Sequence, residues 1–573
     1  MLRLFKRHTK RDVTLLDGIW RFCTDPHRRG MDEEWFKVFP KESRDMVVPS
    51  CWNNTLGLYD YEGLAWYATT FEMKTNAAHI KFHGVTGLAK VYVDGTLIGE
   101  HYGGFIDFGF TVQAEIGEHT LVVAVDNTHD TINTIPLARV DWFHYGGIIR
   151  SVELIHIHDA WISNCNIGYV LDKNLQNVTL KIQATIEAPK KILHNQTVQV
   201  YIDNQLLCRK TVDLQEHTTI TFDNVEQRNI QLWDVDNPKL YYIRIETDTD
   251  DIIERIGFRD IKTKDRKILL NNKELFLKGI NRHEEHPDWG FAVPFHLMKK
   301  DMDIIKMVGC NAIRGSHYPN SEIFLDLCDQ EGILFWEEIP MWGFPEEALS
   351  NPLVINRGLT MLKEMVLRDF HHPSVIIWGM HNEVASHTNA GVNITKVFSE
   401  KIRSLDSSRL LTHASNHPFD DLCYKFGDIV CINQYIGWYD GELSEWPEFL
   451  AKLKEKLAKD NLSDMPIVIS EFGAGGIYGD CTFESPKWTE NYQAKYLAET
   501  LRTFLEDEDI CGTYIWQFCD IRTAKELALN RPRSFNNKGI VNEYRKPKIA
   551  YWTVKEIYEN ALQIRHKKIS PTA

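Results

Sequence analysis

Two glutamates each close a short apolar run: Val375-Ile-Ile-Trp-Gly-Met-His-Asn-Glu383 and Pro466-Ile-Val-Ile-Ser-Glu471. A run such as Val375-Ile-Ile-Trp378 reads as a strand buried on both faces. A carboxylate at the end of such a strand has no place among apolar neighbours and is expected to face a cleft. Two of them, on strands of one parallel sheet, suit acetal hydrolysis: one acid protonates the leaving oxygen while one anion faces the sugar carbon. Either glutamate alone would read as an ordinary exposed or salt-bridged residue. The pair is what points to chemistry.

Such a pair needs a rigid sheet beneath it. Beyond about residue 270, apolar runs alternate with amphipathic helical stretches, the texture of βα units. The runs are Leu275–Ile280, Ala312–Ser316, Ile333–Trp336, Val375–Trp378, Leu410–His413, Ile429–Ile432, Ile467–Ser470 and Gly512–Trp516. Eight strands over about 300 residues match a (β/α)8 TIM barrel, whose active sites lie at the C-terminal ends of the strands. Glu383 then closes the fourth strand and Glu471 the seventh. Between the first two, Phe295–Val308 carries its apolar residues on one helical face.

The preceding chain is β-type. Val91-Tyr-Val-Asp-Gly-Thr-Leu-Ile-Gly99 pairs two alternating segments around Asp94-Gly95, a strong hairpin signal. Val178–Ile186 alternates strictly, as does Thr197–Ile202. The expected organisation is a jelly-roll sandwich over 1–157, an immunoglobulin-like β-sandwich over 158–260 and the catalytic barrel over 261–573. No Gly-, Ser- or Pro-rich linker separates them, so direct packing is expected.

Composition narrows the function classes. With 80 acidic against 65 basic residues the net charge is -15, which argues against nucleic acid and anionic membranes as partners. The 11 cysteines show neither Cys-x-x-Cys pairs nor zinc spacing, and read as reduced thiols of a cytoplasmic protein. The segment Met1–Lys10 lacks the apolar stretch of a signal peptide, and no run is long enough to span a bilayer. No set of His and Asp ligands stands at several strand ends, so neither a metal nor another cofactor is expected.

The stretches His372–Glu383 and Ser470-Glu-Phe-Gly-Ala474 resemble the acid/base and nucleophile signatures of family 2 glycoside hydrolases. So do Lys278-Gly-Ile-Asn-Arg-His-Glu284 and Ala312-Ile-Arg-Gly-Ser-His-Tyr-Pro319. The resemblance covers nearly the whole chain and implies the same three-domain layout. Within the family, Asn433-Gln-Tyr-Ile-Gly-Trp-Tyr439 and Asn536-Asn-Lys538-Gly resemble the β-glucuronidase branch.

The resemblance implies a retaining exo-enzyme acting on small-molecule or oligosaccharide β-D-glucuronides, and a homo-oligomer, dimer or tetramer. Glu471 would be the nucleophile and Glu383 the acid, later the base. Asn382 would donate to the sugar 2-hydroxyl, Arg314 would hold Glu471 ionised, and Tyr435 would hydrogen-bond the nucleophile, with Tyr439 in the same loop. Trp516 would floor the sugar ring, His283 would contact the sugar, and Asp141 would reach over from the first domain to the sugar hydroxyls. Asn536 and Lys538 would clamp the uronate carboxylate through charge-assisted hydrogen bonds of roughly 1.5–3 kcal/mol each. Arg531 and Arg533 could add positive field. The sequence departs from the family pattern at His144, where asparagine is expected, and at Val384, where proline is.

Other readings stay open at this level. Asn281–Pro287 is close to what β-galactosidases carry, and a β-galacturonidase would keep the clamp while changing the 4-hydroxyl contacts. A non-catalytic carbohydrate-binding protein on a dead barrel would have lost one of the two glutamates; both are present. The stretch from Pro340 to about Leu353 is short beside the β-glucuronidases that carry a long insertion there, so the resemblance implies a more open entrance on the aglycone side.

Overall fold

The computed structural model describes residues 2–189 and 192–566. The first domain packs two antiparallel sheets. One has six strands, in the order Arg44–Val48, Gly18–Thr24, Leu64–Met73, Gly117–Asp126, Leu88–Val93 and Thr96–Tyr102. The other has four, in the order Asp12–Leu15, Val152–His156, Ala77–Phe82 and Phe108–Gln113. Trp20, Trp52, Phe82, Val123 and Val152 are among the residues of the core between them. The hairpin turn forms at Asp94-Gly95, whose φ values of 47° and 77° suit a primed turn that follows strand twist.

The second domain sets three strands against four. Along Asn177–Glu187 every second residue from Val178 to Ile186 is buried, so the strict alternation in sequence is the inner face of this sandwich.

The barrel closes with eight parallel strands: β1 (Leu277–Arg282), β2 (Ala312–Gly315), β3 (Leu334–Glu338), β4 (Val375–Asn382), β5 (Leu410–Ser415), β6 (Val430–Asn433), β7 (Ile467–Phe472) and β8 (Ile510–Ile515). All eight expected runs form strands. The first begins two residues later than expected, because Lys273–Leu275 pairs instead with Lys267–Leu270 in a three-stranded antiparallel sheet. Ile268 and Leu270 of that sheet join Leu277, Ala312, Leu334 and Trp336 in one apolar cluster at the N-terminal end of the barrel. That end is thereby sealed, and the opposite end stays open. Phe295–Met307 is helical and buries Leu297, Met298, Met302 and Ile305, as its periodicity requires.

The first domain reaches the open end. Trp142, Phe143 and Tyr145 pack into the barrel's own apolar cluster, and the Tyr145 hydroxyl donates to Glu285 at 2.9 Å. Asp141 is carried in by these anchors. Among the described residues no helix is long and apolar enough to cross a membrane.

Candidate active site

A cavity of about 760 Å3 opens at the C-terminal ends of the barrel strands. Glu383, Glu471, Asp141, Tyr435, Tyr439, Trp516 and Lys538 all line it, together with Asn433 and Arg531. Asn382 and Arg314 stand directly behind this surface, hydrogen-bonded to lining residues.

Arg314, at the end of β2, organises the floor. It donates to Glu471 Oε1 at 2.7 Å, to both oxygens of Glu338 at 2.9 Å, and to Asn382 Oδ1 at 2.7 Å. The second Glu471 oxygen accepts from the Tyr435 hydroxyl at 2.8 Å. Burial pushes the Glu471 carboxyl above its usual range, while Arg314 and Tyr435 oppose that rise by stabilising the anion. The same network settles Asn382. Its Oδ1 accepts from Arg314 and from Asn433 Nδ2 at 3.0 Å, so its Nδ2 is the remaining donor, buried and, among the described residues, without a partner. An unpaired buried amide N–H is costly unless a ligand satisfies it.

Glu383 follows β4 directly, with a left-handed φ of 52° that a non-glycine residue adopts only under surrounding constraint. Its backbone N–H donates to the Ala414 carbonyl at 2.9 Å, and its Oε1 accepts from Asn433 Nδ2 at 2.8 Å. Burial, then the charge of Glu471, raises its pKa to about 8, against the opposing Asn433 hydrogen bond and Arg314. Glu383 therefore holds its proton at neutral pH.

The opposite wall is cationic. Lys538 Nζ donates to the Tyr439 hydroxyl at 2.7 Å and stands 4.9–5.9 Å from the ring centres of Tyr435, Trp438 and Tyr439. The residue is 3% exposed and, among the described residues, forms no ion pair. Burial favours the neutral Tyr439 phenol, but Lys538 and Arg531 outweigh it, and its pKa falls below the usual value. The segment bearing Lys538 is held from beneath. The Gln517 backbone N–H donates to the Lys538 carbonyl at 3.0 Å, and Gln493 Nε2 donates to the Lys538 and Gly539 carbonyls at 3.2 and 3.0 Å. Buried Lys548 donates to the Asn537 carbonyl at 3.1 Å and to Asp520 at 2.7 Å, and Asp520 accepts from the Gly539 N–H at 2.9 Å.

Two residues expected at the substrate lie outside the cavity lining. The Asn536 amide, expected to face a substrate carboxylate, donates to Asp141 instead, and the residue is fully buried outside the cavity lining. The ring of His283, expected at the sugar, lies 5.5 Å from Trp516 and outside the cavity lining. Its Nδ1 is 3.2 Å from the Tyr318 hydroxyl, and burial keeps it neutral. Asp141 is also less free than expected, since Arg531 pairs with its other oxygen at 3.0 Å. Of the two nearby arginines, Arg531 lines the cavity and Arg533 turns away to Glu543. The His/Cys/Asp/Glu groupings able to hold a metal ion, among the described residues, lie outside the lining.

Three family models of glycosyl hydrolases family 2 match end to end: the sugar binding domain over residues 57–158, the central domain over 156–259, and the TIM barrel domain over 261–563. The chain belongs to glycoside hydrolase family 2. It is a glycoside hydrolase. A β-glucuronidase of Paenibacillus borealis is 26% identical, over 96% of this chain and 97% of its own. The structure of a β-galacturonidase from Eisenbergiella tayi bound to galacturonate superposes with a TM-score of 0.91 at 35% identity, covering 98% of this chain and 99% of that one. That of a Ruminococcus gnavus β-glucuronidase in complex with D-glucuronic acid gives 0.84 at 27%, covering 97% and 99%.

Within this family 2 site, sequence reasoning passed over Glu338 and Asn433. Both end barrel strands, β3 and β6, so the strand-end criterion that picked out Glu383 would have found them. The link from Arg531 to Asp141 spans 390 positions and two domains, and no local pattern signals it.

Proposed function

We propose that this enzyme is a retaining exo-β-uronidase that hydrolyses β-D-glucuronides by double displacement. The observation that carries the uronide assignment is Lys538: a buried ammonium with a phenol hydroxyl for a partner and, among the described residues, no acid, at the wall of the cavity. Facing a neutral sugar it would stay desolvated and unpaired. A substrate carboxylate would accept from Lys538 and the Tyr439 hydroxyl, with Arg531 adding charge.

In the first step Glu471 attacks the anomeric carbon while Glu383 passes its proton to the glycosidic oxygen. Arg314 and Tyr435 keep the Glu471 anion available, and the free Asn382 N–H is suited to the sugar 2-hydroxyl. Once Glu471 is an ester its charge is gone, and with it the largest cause after burial that raises the Glu383 pKa. Glu383 then serves as the base that draws a proton from water.

A second reading, β-D-galacturonides, has its own support: the higher identity to the E. tayi enzyme at equal coverage, and the Arg531–Asp141 pair, which removes a free aspartate from the sugar hydroxyls. Both readings share the carboxylate clamp and differ at C4. Rates on nitrophenyl β-D-glucuronide, β-D-galacturonide and β-D-galactoside, measured in parallel, test them together. A uronide preference supports the clamp, the C4 epimer preferred chooses between the readings, and a galactoside cleaved as fast as both uronides sinks the proposal. The eleven unpaired thiols suit a reducing compartment, so we place the enzyme in the cytoplasm.

A further inference from the structure

We propose that His387, His417 and Asp420 form a binding site for a borderline divalent transition metal, of the zinc and nickel class, that ties together two loops at the catalytic face. One ligand atom from each lies within 4.8 Å of the others. The two imidazole rings stand 4.1 Å apart at 45°, and His417 Nδ1 is 3.6 Å from the Asp420 carboxylate. Ligands on a tetrahedral zinc at about 2.0–2.1 Å stand roughly 3.4 Å apart, so small side-chain rotations complete the site.

Two other groupings in the molecule have the right residue types but have spent their lone pairs. Asp326 accepts from Arg3 and Arg255, and Asp329 from His372 and Ser374. In the second, Glu254 accepts from Arg7, and His371 accepts from the Ile167 N–H. At His387 and His417, by contrast, the one ring nitrogen paired with an acid among the described residues is His417 Nδ1, whose partner is Asp420 of the same group, and His387 and Asp420 are exposed.

The backbone beneath the site is already fixed. Asp421 Oδ2 accepts from the hydroxyls of Ser386 and Ser415 at 2.6 Å each. Each ligand therefore sits one or two residues from a point anchored on a single carboxylate, which lowers the ordering cost of capture. His387 lies four residues beyond Glu383, and His417 follows Asn416, a residue of the cavity wall. An ion here would cross-link the loop after β4 to the loop after β5. It would stand outside the cavity and take no part in the glycosidic chemistry, and the assignment does not depend on which sugar is cleaved.

Selectivity follows from the donors: two imidazoles and one carboxylate favour zinc, nickel or copper over magnesium or calcium. The test is calorimetric titration of the full chain, stripped with EDTA and dialysed, with zinc chloride. The expected result is one equivalent bound, an upward shift of the thermal midpoint with zinc, and no response to magnesium or calcium. His387→Ala/His417→Ala should abolish both signals, and Asp420→Asn should weaken binding about tenfold or more. His387 and Asp420 are exposed and His417 is half-buried at the surface, so these variants should fold. Absence of saturable binding at one equivalent, or equal binding by the double variant, would overturn the assignment.

Discussion

The Arg314 guanidinium donates to Glu471 at 2.7 Å and, through another nitrogen, to the amide oxygen of Asn382 at 2.7 Å. One cation thus holds the proposed nucleophile as an anion and leaves the Asn382 N–H as the remaining donor. Glu338 accepts from the guanidinium in a bidentate pair, fixing its plane. Glu338→Gln should therefore act through Arg314, lowering kcat on uronide and neutral glycoside alike. A substrate-selective effect would contradict this role.

The two glutamates should fail differently. With Glu383→Gln, substrates bearing good leaving groups should still form the glycosyl ester, and added azide should restore product by replacing the missing base. Glu471→Gln should form no covalent intermediate. Wild-type behaviour of Glu383→Gln on a poor leaving group would remove Glu383 as the acid.

The pH profile follows from the Glu383 proton. Its pKa of about 8 places loss of the acid, and so the alkaline limb of kcat/KM, near that value. Glu383→Gln should erase the limb. Asn433 donates to the Glu383 anion at 2.8 Å and lowers its pKa, so Asn433→Ala should move the limb to higher pH. A downward move would reverse the assigned sign.

Lys548 touches no cavity atom yet holds the Asn537 carbonyl and Asp520 under the cationic wall. Lys548→Met should displace Lys538 and raise KM for a uronide about 10- to 100-fold, with a neutral glycoside little affected. Equal losses on both would make Lys548 merely structural.

Much of this arrangement was legible in the sequence because it is written in local pattern. The eight apolar runs, Asp94-Gly95 and the alternation through Val178–Ile186 each encode their element in consecutive residues. The antiparallel sheet sealing the barrel was not legible: Leu275, which ends its third strand, runs directly into the first barrel run and reads as its start. The site divides the same way. Glu383 and Glu471 sit where barrel strands end, whereas Lys538, well beyond the last barrel strand, was legible only through the family resemblance of Asn536-Asn-Lys538-Gly. The fates of Asn536 and His283 depend on Asp141 and Trp516, partners far away in sequence, and only the folded chain reveals them.

The central claim is that Lys538 reads a carboxylate. Its direct measurement is the ratio of kcat/KM for a uronide to that for the matched neutral glycoside, in wild type and in Lys538→Ala. Losing about 2–4 kcal/mol of charge-assisted binding in a confined site would lower uronide turnover roughly 30- to 1,000-fold. The slow hydrolysis of the neutral glycoside should hold level or rise slightly as the unpaired ammonium disappears, so the ratio should collapse. An unchanged ratio would mean that Lys538 does not recognise the uronate, and the uronidase assignment would fall with it.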